Sequence, residues 1–235
     1  MVTALVLLWT KIRSRVYYNE CPRPPPSVQE QKRFPDRDAL SITLPVQVWL
    51  VTACKWLYCS AALLEIAVLV AQHLPNSLFT DRVPSFIPPG ASLRLTPLSV
   101  TGCILGVAGG LIRIWCHRAL GEFFTWEVSV QREHKLITSG PYAIVRHPSY
   151  TGAVMLNAGN FLLLLSKGSY ITEAGWLQNR WGRGVVFGVI GYMSYITYSL
   201  IRRVPKEDAI LMREFGHQWQ EWRKRTPYRL VPYVY

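Results

Sequence analysis

The sequence has few charged residues, which make up only 17% of its 235 positions. Soluble domains carry about 25% charged residues, so this shortage argues against an ordinary soluble enzyme. The five cysteines form no CxxC pair and no metal-ligand spacing, so we predict no metal site. The chain contains no internal repeat, and its length leaves room for one or two domains at most.

What the chain does have is long apolar stretches, and half of its residues are hydrophobic. Four stretches are long enough, or nearly so, to cross about 30 Å of hydrocarbon at about 20 residues per helix. They cover residues 46–74, 98–117, 152–172 and 184–201. This pattern predicts an all-α polytopic integral membrane protein with about four transmembrane helices. Residues 1–45 would form a cytosolic or interfacial lead, and residues 46–235 would form the membrane domain.

The net charge of +12 could suggest a nucleic-acid binder, but the positions of the basic residues favour a membrane topology. Segments 11–45, 118–151 and 202–235 together carry 19 Lys and Arg residues. Segments 75–97 and 167–183 together carry only 5. Four spans with both termini in the cytosol would place the 19 on one side, which is the positive-inside pattern. We therefore predict no nucleic-acid partner.

The first of two polar segments suited to chemistry covers residues 134–152. It holds two His, two Tyr, two Pro and two Gly directly before a predicted span. Gly140 and His147 each precede a proline, so we expect both to be extended. Non-helical backbone at membrane depth is tolerated only where it lines a cavity or is buried by protein. The segment therefore predicts a polar pocket.

The second polar segment begins at the end of the last predicted span. Arg203 and Glu207 are four residues apart and would share one face if that helix continues. Pro205 lies between them and predicts a kink or a new helix start.

Two further features lie in or beside predicted spans. Phe215, Trp219 and Trp222 recur at helical spacing beside basic residues. This pattern predicts an amphipathic helix lying on the membrane, with the aromatic residues as anchors. Glu65 lies inside the first span, where it is either a functional group or the partner of a neighbouring polar group.

Together the two polar segments carry a family resemblance. The first contains LITSGPYAIVRHPSYTG, and the second contains the pattern R-x-x-x-E-D-x-x-L-x-x-x-F-G. Residues 98–235 strongly resemble the isoprenylcysteine carboxyl methyltransferases, which are integral membrane enzymes of the endoplasmic reticulum. Members use S-adenosylmethionine to methylate the C-terminal carboxylate of a prenylated cysteine. The resemblance implies farnesylated or geranylgeranylated protein C-termini as partners and an endoplasmic reticulum location. The positive-inside pattern would then place the pocket and both termini on the cytosolic side.

The resemblance also implies roles for individual residues. Arg203 matches the arginine that meets the substrate carboxylate, and is the predicted catalytic residue. The residues matching cofactor contacts are Glu127, His134, Lys135, Leu136, Ile137, Tyr142, His147, Pro148, Ser149, Tyr150 and Glu207. Glu127 stands where the family often has Gln. Asp208 stands where the family often has a second Glu, and its shorter side chain is assigned no part.

The chemistry of the reaction favours these residue types. The faces of Tyr142 and Tyr150 would attract a sulfonium cation. A carboxylate acceptor is already ionised at pH 7 and needs no general base, and the planar guanidinium of Arg203 suits it.

Three alternatives remain open. One is a phospholipid amine or other small-lipid acceptor on the same scaffold; an amine would need deprotonation and would gain nothing from an arginine. Another is a non-catalytic binder of lipidated proteins. The third is a nicotinamide-dependent sterol reductase, for which no added motif is present.

Overall fold

A computed structural model describes residues 44–73, 93–123 and 135–234. Helices make up nearly all of its regular structure, and the described residues contain no strand. The α-helices are α1 (Leu44–His73), α2 (Pro97–Leu120), α3 (Pro148–Leu165), α4 (Tyr170–Glu173), α5 (Arg180–Phe215) and α6 (His217–Arg225). Two short 3₁₀ helices cover Gly121–Phe123 and Gly140–Ala143. The predicted all-α fold is confirmed, while the predicted lead over residues 1–45 lies almost wholly outside the described residues.

Three helices in the described ranges are long and apolar enough to cross a membrane. They are Val46–Val70 within α1, all of α2, and all of α5. The prediction of a polytopic membrane protein is confirmed, with three such helices in place of about four. The placement of both termini in the cytosol assumed four spans, so it stays a prediction.

The stretch predicted as the third span, residues 152–172, is not among these helices. It forms most of α3, which has 18 residues and ends at Leu165. Asn157 and Asn160 interrupt its apolar surface, and its first turn holds Pro, Ser and Tyr. The chain then leaves the helix, and Gly168 adopts a positive φ of 84°. The apolar length that remains is therefore shorter than the sequence pattern indicates.

Local sequence explains the ends of several helices. α2 begins with Pro97, a residue suited to the first helical position, and the Thr96 hydroxyl accepts a hydrogen bond from Ser99 N at 3.2 Å. α5 runs without interruption through Pro205, so the expected new helix start there is wrong. Gly216 separates α5 from α6 with a φ of 48°, a left-handed conformation that glycine adopts without steric cost. Gly140 has a φ of 61°, which corrects the expectation of extended backbone.

Residue contacts divide the chain into two compact units. The first includes Trp49–Ala108 and Met155–Tyr195. Its buried core consists of Val68, Leu93, Tyr170, Ile171 and Val186. In this unit the Glu65 carboxylate accepts a hydrogen bond from Tyr170 N at 3.4 Å. Glu65 thus pairs with a neighbouring polar group, as one of its two interpretations held.

The second unit includes Gly109–Val154 and Ile196–Tyr235. Its apolar core is built from Cys116, Tyr142, Trp219 and Trp222. The two tryptophans of α6 are only 3% and 2% exposed, so they pack inside the protein. The prediction that they anchor a helix in the membrane is therefore wrong. All of the described candidate site residues belong to this unit.

Candidate functional site

Four of the predicted site residues meet at one carboxylate, that of Glu207. The Tyr150 hydroxyl donates a hydrogen bond to Glu207 Oε1. His147 Nδ1 lies 3.3 Å from Glu207 Oε2, and Arg203 Nε lies 3.2 Å from Glu207 Oε1. Because α5 is continuous, Arg203 and Glu207 share a face as predicted. The first polar segment and α5 therefore meet at Glu207.

This cluster is largely shielded from solvent. The side chains of His147 and Arg203 are 5% and 6% exposed. The Glu207 side chain is 20% exposed, so it is less buried than these two neighbours. A carboxylate oriented by three neighbours is suited to pair with a ligand cation.

His147 stands between two carboxylates. Its Nδ1 faces Glu207, and its Nε2 lies 3.0 Å from Asp208 Oδ1. A neutral imidazole has one N–H donor, whereas the imidazolium donates from both nitrogens. Burial lowers the pKa of His147, but the hydrogen bonds and charges of Asp208 and Glu207 outweigh burial and raise it. The arrangement therefore favours the doubly protonated ring, which stacks on Tyr150 with the ring planes 4° apart.

Asp208 is a residue to which the sequence reasoning assigned no part. It is 6% exposed and lies at the centre of a second cluster. Arg146 donates to both of its oxygens, with Nε 3.3 Å from Oδ1 and Nη2 3.1 Å from Oδ2. Arg229 Nε donates to Oδ2 at 3.2 Å. Asp208 and Glu207 are adjacent in sequence, so the two clusters are joined through His147.

The segment 226–230, which we call the C-terminal strap, closes one side of these clusters. Arg146 N donates to Tyr228 O at 2.9 Å, and His147 N donates to Arg229 O at 2.8 Å. Arg146 Nη1 donates to two further strap carbonyls, at 2.9 and 2.6 Å. The strap thus satisfies the non-helical backbone that precedes α3, and this role was also missed in the sequence.

Tyr142 lies beside the Glu207 cluster in the apolar core of the unit. Trp222 Nε1 donates to Tyr142 O at 3.0 Å, and burial raises the pKa of the Tyr142 phenol. Leu136 and Ile137 pack against the same core, whereas Lys135 is exposed. Leu136 and Ile137 therefore lie in the core that contains Tyr142, and the structure shows no bond from these three residues to Glu207.

The remaining predicted contacts divide into two groups. Pro148 is buried at the start of α3, and Ser149 accepts hydrogen bonds from Arg113 Nη1 at its carbonyl (3.1 Å) and hydroxyl (3.3 Å). Arg113 of α2 was not singled out as a site residue, although an arginine inside a predicted span is a signal in itself. Glu127 and His134 lie outside the described residues.

The donor set fits S-adenosylmethionine better than a metal ion. Within the described ranges no group of three or more His, Cys, Asp or Glu side chains could hold a metal. Glu207 offers a carboxylate for the ligand's ammonium or ribose hydroxyls, and Tyr142 and Tyr150 offer aromatic rings for its sulfonium. His147 offers positive charge for its carboxylate.

Comparisons with known proteins agree with this chemistry. The sequence model of the isoprenylcysteine carboxyl methyltransferase (ICMT) family matches residues 101–181, which include His147 and end before Arg203. Protein-S-isoprenylcysteine O-methyltransferase B of Arabidopsis thaliana is 29% identical over 139 residues, 58% of this chain and 60% of that protein. The Homo sapiens protein-S-isoprenylcysteine O-methyltransferase is 29% identical over 136 residues, 57% of this chain and 41% of that protein.

A Delta(14)-sterol reductase of Mus musculus is also similar, with 30% identity over 102 residues. These residues are 43% of this chain but only 20% of the reductase. The chain spans less than two thirds of each of these three relatives. The chain is therefore similar to the isoprenylcysteine carboxyl methyltransferase family over residues 101–181, and two of these three relatives are methyltransferases by name.

Proposed function

We propose that this protein uses S-adenosylmethionine to methylate the C-terminal carboxylate of prenylated cysteine, at the cytosolic face of the endoplasmic reticulum membrane. The observation that carries the proposal is the buried Arg203–Glu207 pair on α5, joined to His147 and Tyr150. The match to the family model supports the choice of methyl donor, and the two methyltransferase relatives support the choice of acceptor.

Glu207 is the proposed centre of donor binding. Tyr150, His147 and Arg203 hold its two oxygens, so a ligand cation would meet a carboxylate that is already oriented. S-adenosylmethionine supplies a methyl group that leaves its sulfonium as the acceptor oxygen bonds to carbon, so the sulfur keeps the electron pair. Orientation of this kind can contribute about 7–11 kcal/mol to the best intramolecular reactions.

Arg203 is the proposed contact of the acceptor carboxylate. Its Nε lies 3.2 Å from Glu207 Oε1 in an ion pair, and its planar guanidinium offers a fork of donors that suits a carboxylate. Arg203 is 6% exposed, and water is largely excluded around it. A carboxylate gains more from a guanidinium in such surroundings than it does in bulk water.

The surroundings of His147 also suit a carboxylate acceptor. An ionised carboxylate has no proton to lose, so methyl transfer to it needs no general base. An imidazolium held between two carboxylates is not a base. An amine acceptor, in contrast, would need a base at this place.

A second candidate function is the reduction of a sterol, because the likeness to the Delta(14)-sterol reductase covers 43% of this chain. This candidate is less well supported than methyl transfer, because a sterol has no carboxylate for Arg203 to bind. A third candidate, transfer to a phospholipid amine, would use the same methyl donor.

The test is a transfer assay with the full chain in membrane vesicles, labelled S-adenosylmethionine and either a farnesylcysteine analogue or a phospholipid amine. We expect label on the farnesylcysteine. Arg203→Ala should lower kcat/KM by about 10–150-fold, as expected for the loss of a charged hydrogen bond. The matched control is Arg202→Ala, which removes an exposed arginine from the same turn and should change kcat/KM less than about twofold.

Three outcomes would contradict the proposal in different ways. Label only on the lipid amine would favour the amine acceptor. Sterol-dependent oxidation of a reduced nicotinamide, without methyl transfer, would favour the reductase. Full activity of Arg203→Ala would remove Arg203 from the acceptor site.

A further inference from the structure

We propose that Asp208 is a positioning residue that holds His147 as an imidazolium facing Glu207. His147 has one nitrogen 3.3 Å from Glu207 and the other 3.0 Å from Asp208. Both contacts are hydrogen bonds only if both ring nitrogens carry protons. The ring is 5% exposed, so water contributes little to solvating its charge.

Asp208 is suited to this role because two arginines fix the orientation of its carboxylate. Arg146 grips both of its oxygens, and Arg229 binds Oδ2 at 3.2 Å. The side chain is therefore held with Oδ1 towards His147. Asn at this position would keep the shape and remove the charge.

The charges around His147 show why the carboxylate matters. The charged and titratable groups facing it come from its own segment (Arg146, Tyr142, Tyr150), from α5 (Arg203, Glu207, Asp208), from the C-terminal strap (Arg229) and from α2 (Arg113, Cys116). Four of these groups are arginines, whereas only two are carboxylates. If Asp208 loses its charge, Glu207 alone offsets the burial of the ring and the positive charge of the arginines. The pKa of His147 would then fall.

The consequence for the site concerns Glu207. An imidazolium carries a proton on both nitrogens, so Nδ1 always has one to donate to Glu207 Oε2, and this keeps the carboxylate oriented. A neutral ring could instead place its proton on Nε2 and present a lone pair to Glu207. The link from this orientation to methyl transfer rests on the proposed function, whereas the charge of His147 does not.

The test combines nuclear magnetic resonance with a binding measurement on the full chain. Histidine labelled with ¹⁵N would report the protonation of both ring nitrogens of His147, assigned by comparison with His147→Gln. In the wild type we expect both nitrogens to be protonated at pH 7. Asp208→Asn should lower the titration midpoint by at least one pH unit, a loss of about tenfold in proton affinity.

A pH profile separates positioning from simple structural damage. In Asp208→Asn, binding of S-adenosylmethionine should weaken at a lower pH than in the wild type, whereas Asp208→Glu should restore much of the wild-type profile. Glu221→Gln is the matched control, because Glu221 is a carboxylate paired on the surface with Lys224 at 2.9 Å. It should leave the midpoint of His147 unchanged.

Several results would overturn the proposal. One is an unchanged titration midpoint of His147 in Asp208→Asn. A variant that binds S-adenosylmethionine more weakly at every pH, with no shift in its pH profile, would also count against the proposal. Another is an unprotonated ring nitrogen on His147 in the wild type at pH 7. This measurement does not depend on any variant being able to fold. If His147 titrates as expected but the wild type transfers no methyl group, the proposed function fails and the role of Asp208 stands.

Discussion

Arg146 is the residue through which α5 and the C-terminal strap are held to the segment before α3. Its side chain is 3% exposed and makes four hydrogen bonds, two to Asp208 and two to strap carbonyls. Arg146→Lys keeps the positive charge but replaces the planar fork by a single ammonium group. The substitution therefore tests geometry separately from charge.

The expected loss of stability follows from these contacts. An ammonium at the end of a lysine can reach Asp208 or the strap carbonyls, but not both in the present geometry. About two of the four bonds would be lost, and hydrogen bonds to charged groups contribute about 1.5–3 kcal/mol each. Breaking one partner of a buried ion pair costs about 3–5 kcal/mol, which is similar. We therefore expect a loss of about 3 kcal/mol, or about 6–12 °C in Tm for a chain of this size.

The assay is thermal unfolding of the purified full chain in detergent, followed by tryptophan fluorescence. The signal is suitable because the Arg146 guanidinium lies 6.0 Å from the ring centre of Trp219, which is buried. The matched control is Arg225→Lys, an exposed arginine at the end of α6, which should change Tm by less than about 2 °C. A shift below 2 °C for Arg146→Lys, or equal shifts for the two variants, would refute the assigned role of the fork.

Four further predictions follow from the second unit. Gly152→Ala should lower stability by about 1–3 kcal/mol in thermal unfolding, because its Cβ would meet a backbone oxygen of α2 at 2.8 Å; Gly110→Ala, with no atom within 4 Å, should not. Trp222→Phe should cost about 1–3 kcal/mol, measured in the same way, since a buried carbonyl loses its donor at 3.0 Å. Because the pKa of His147 is raised, its contribution to stability is complete below about pH 6.5 and is lost as pH rises through that raised value, which a pH series of Tm would detect. Glu207→Gln should weaken binding of S-adenosylmethionine about tenfold or more in equilibrium dialysis.

Each of these has a contrary outcome. Equal destabilisation by the two glycine variants would indicate that close approach of α2 is not the cause. An unchanged Tm for Trp222→Phe would mean that water replaces the lost donor. A Tm that rises from pH 6.5 to pH 8.5 would contradict the charged state of His147, and unchanged binding by Glu207→Gln would remove that carboxylate from the donor site.

Features of the fold that depend on local sequence were predictable. The apolar stretches predict membrane helices because hydrocarbon thickness sets a length that can be counted along the chain. The pairing of Arg203 with Glu207 follows from an i,i+4 spacing on a helix that continues through Pro205. In these cases the residues that interact are close in sequence, and one helix brings them together.

Other features depend on residues far apart in the chain and were missed or wrong. Asp208 meets Arg146 across 62 positions and Arg229 across 21, and no spacing rule connects them. Trp219 and Trp222 form an apolar stripe on a basic helix, and such a stripe suits a protein core as well as it suits a membrane. Only the packing of α6 decides between the two.

The bond to the transferred methyl group distinguishes the proposed reaction from its alternatives most directly. Vesicles containing the full chain would be incubated with methyl-labelled S-adenosylmethionine and a farnesylcysteine analogue, and the labelled product would then be treated with base. A methyl ester releases labelled methanol under these conditions, whereas a methylated amine keeps its label. We predict release of nearly all of the label as methanol; label that resists base, or no label on the farnesylcysteine, would contradict the proposed reaction.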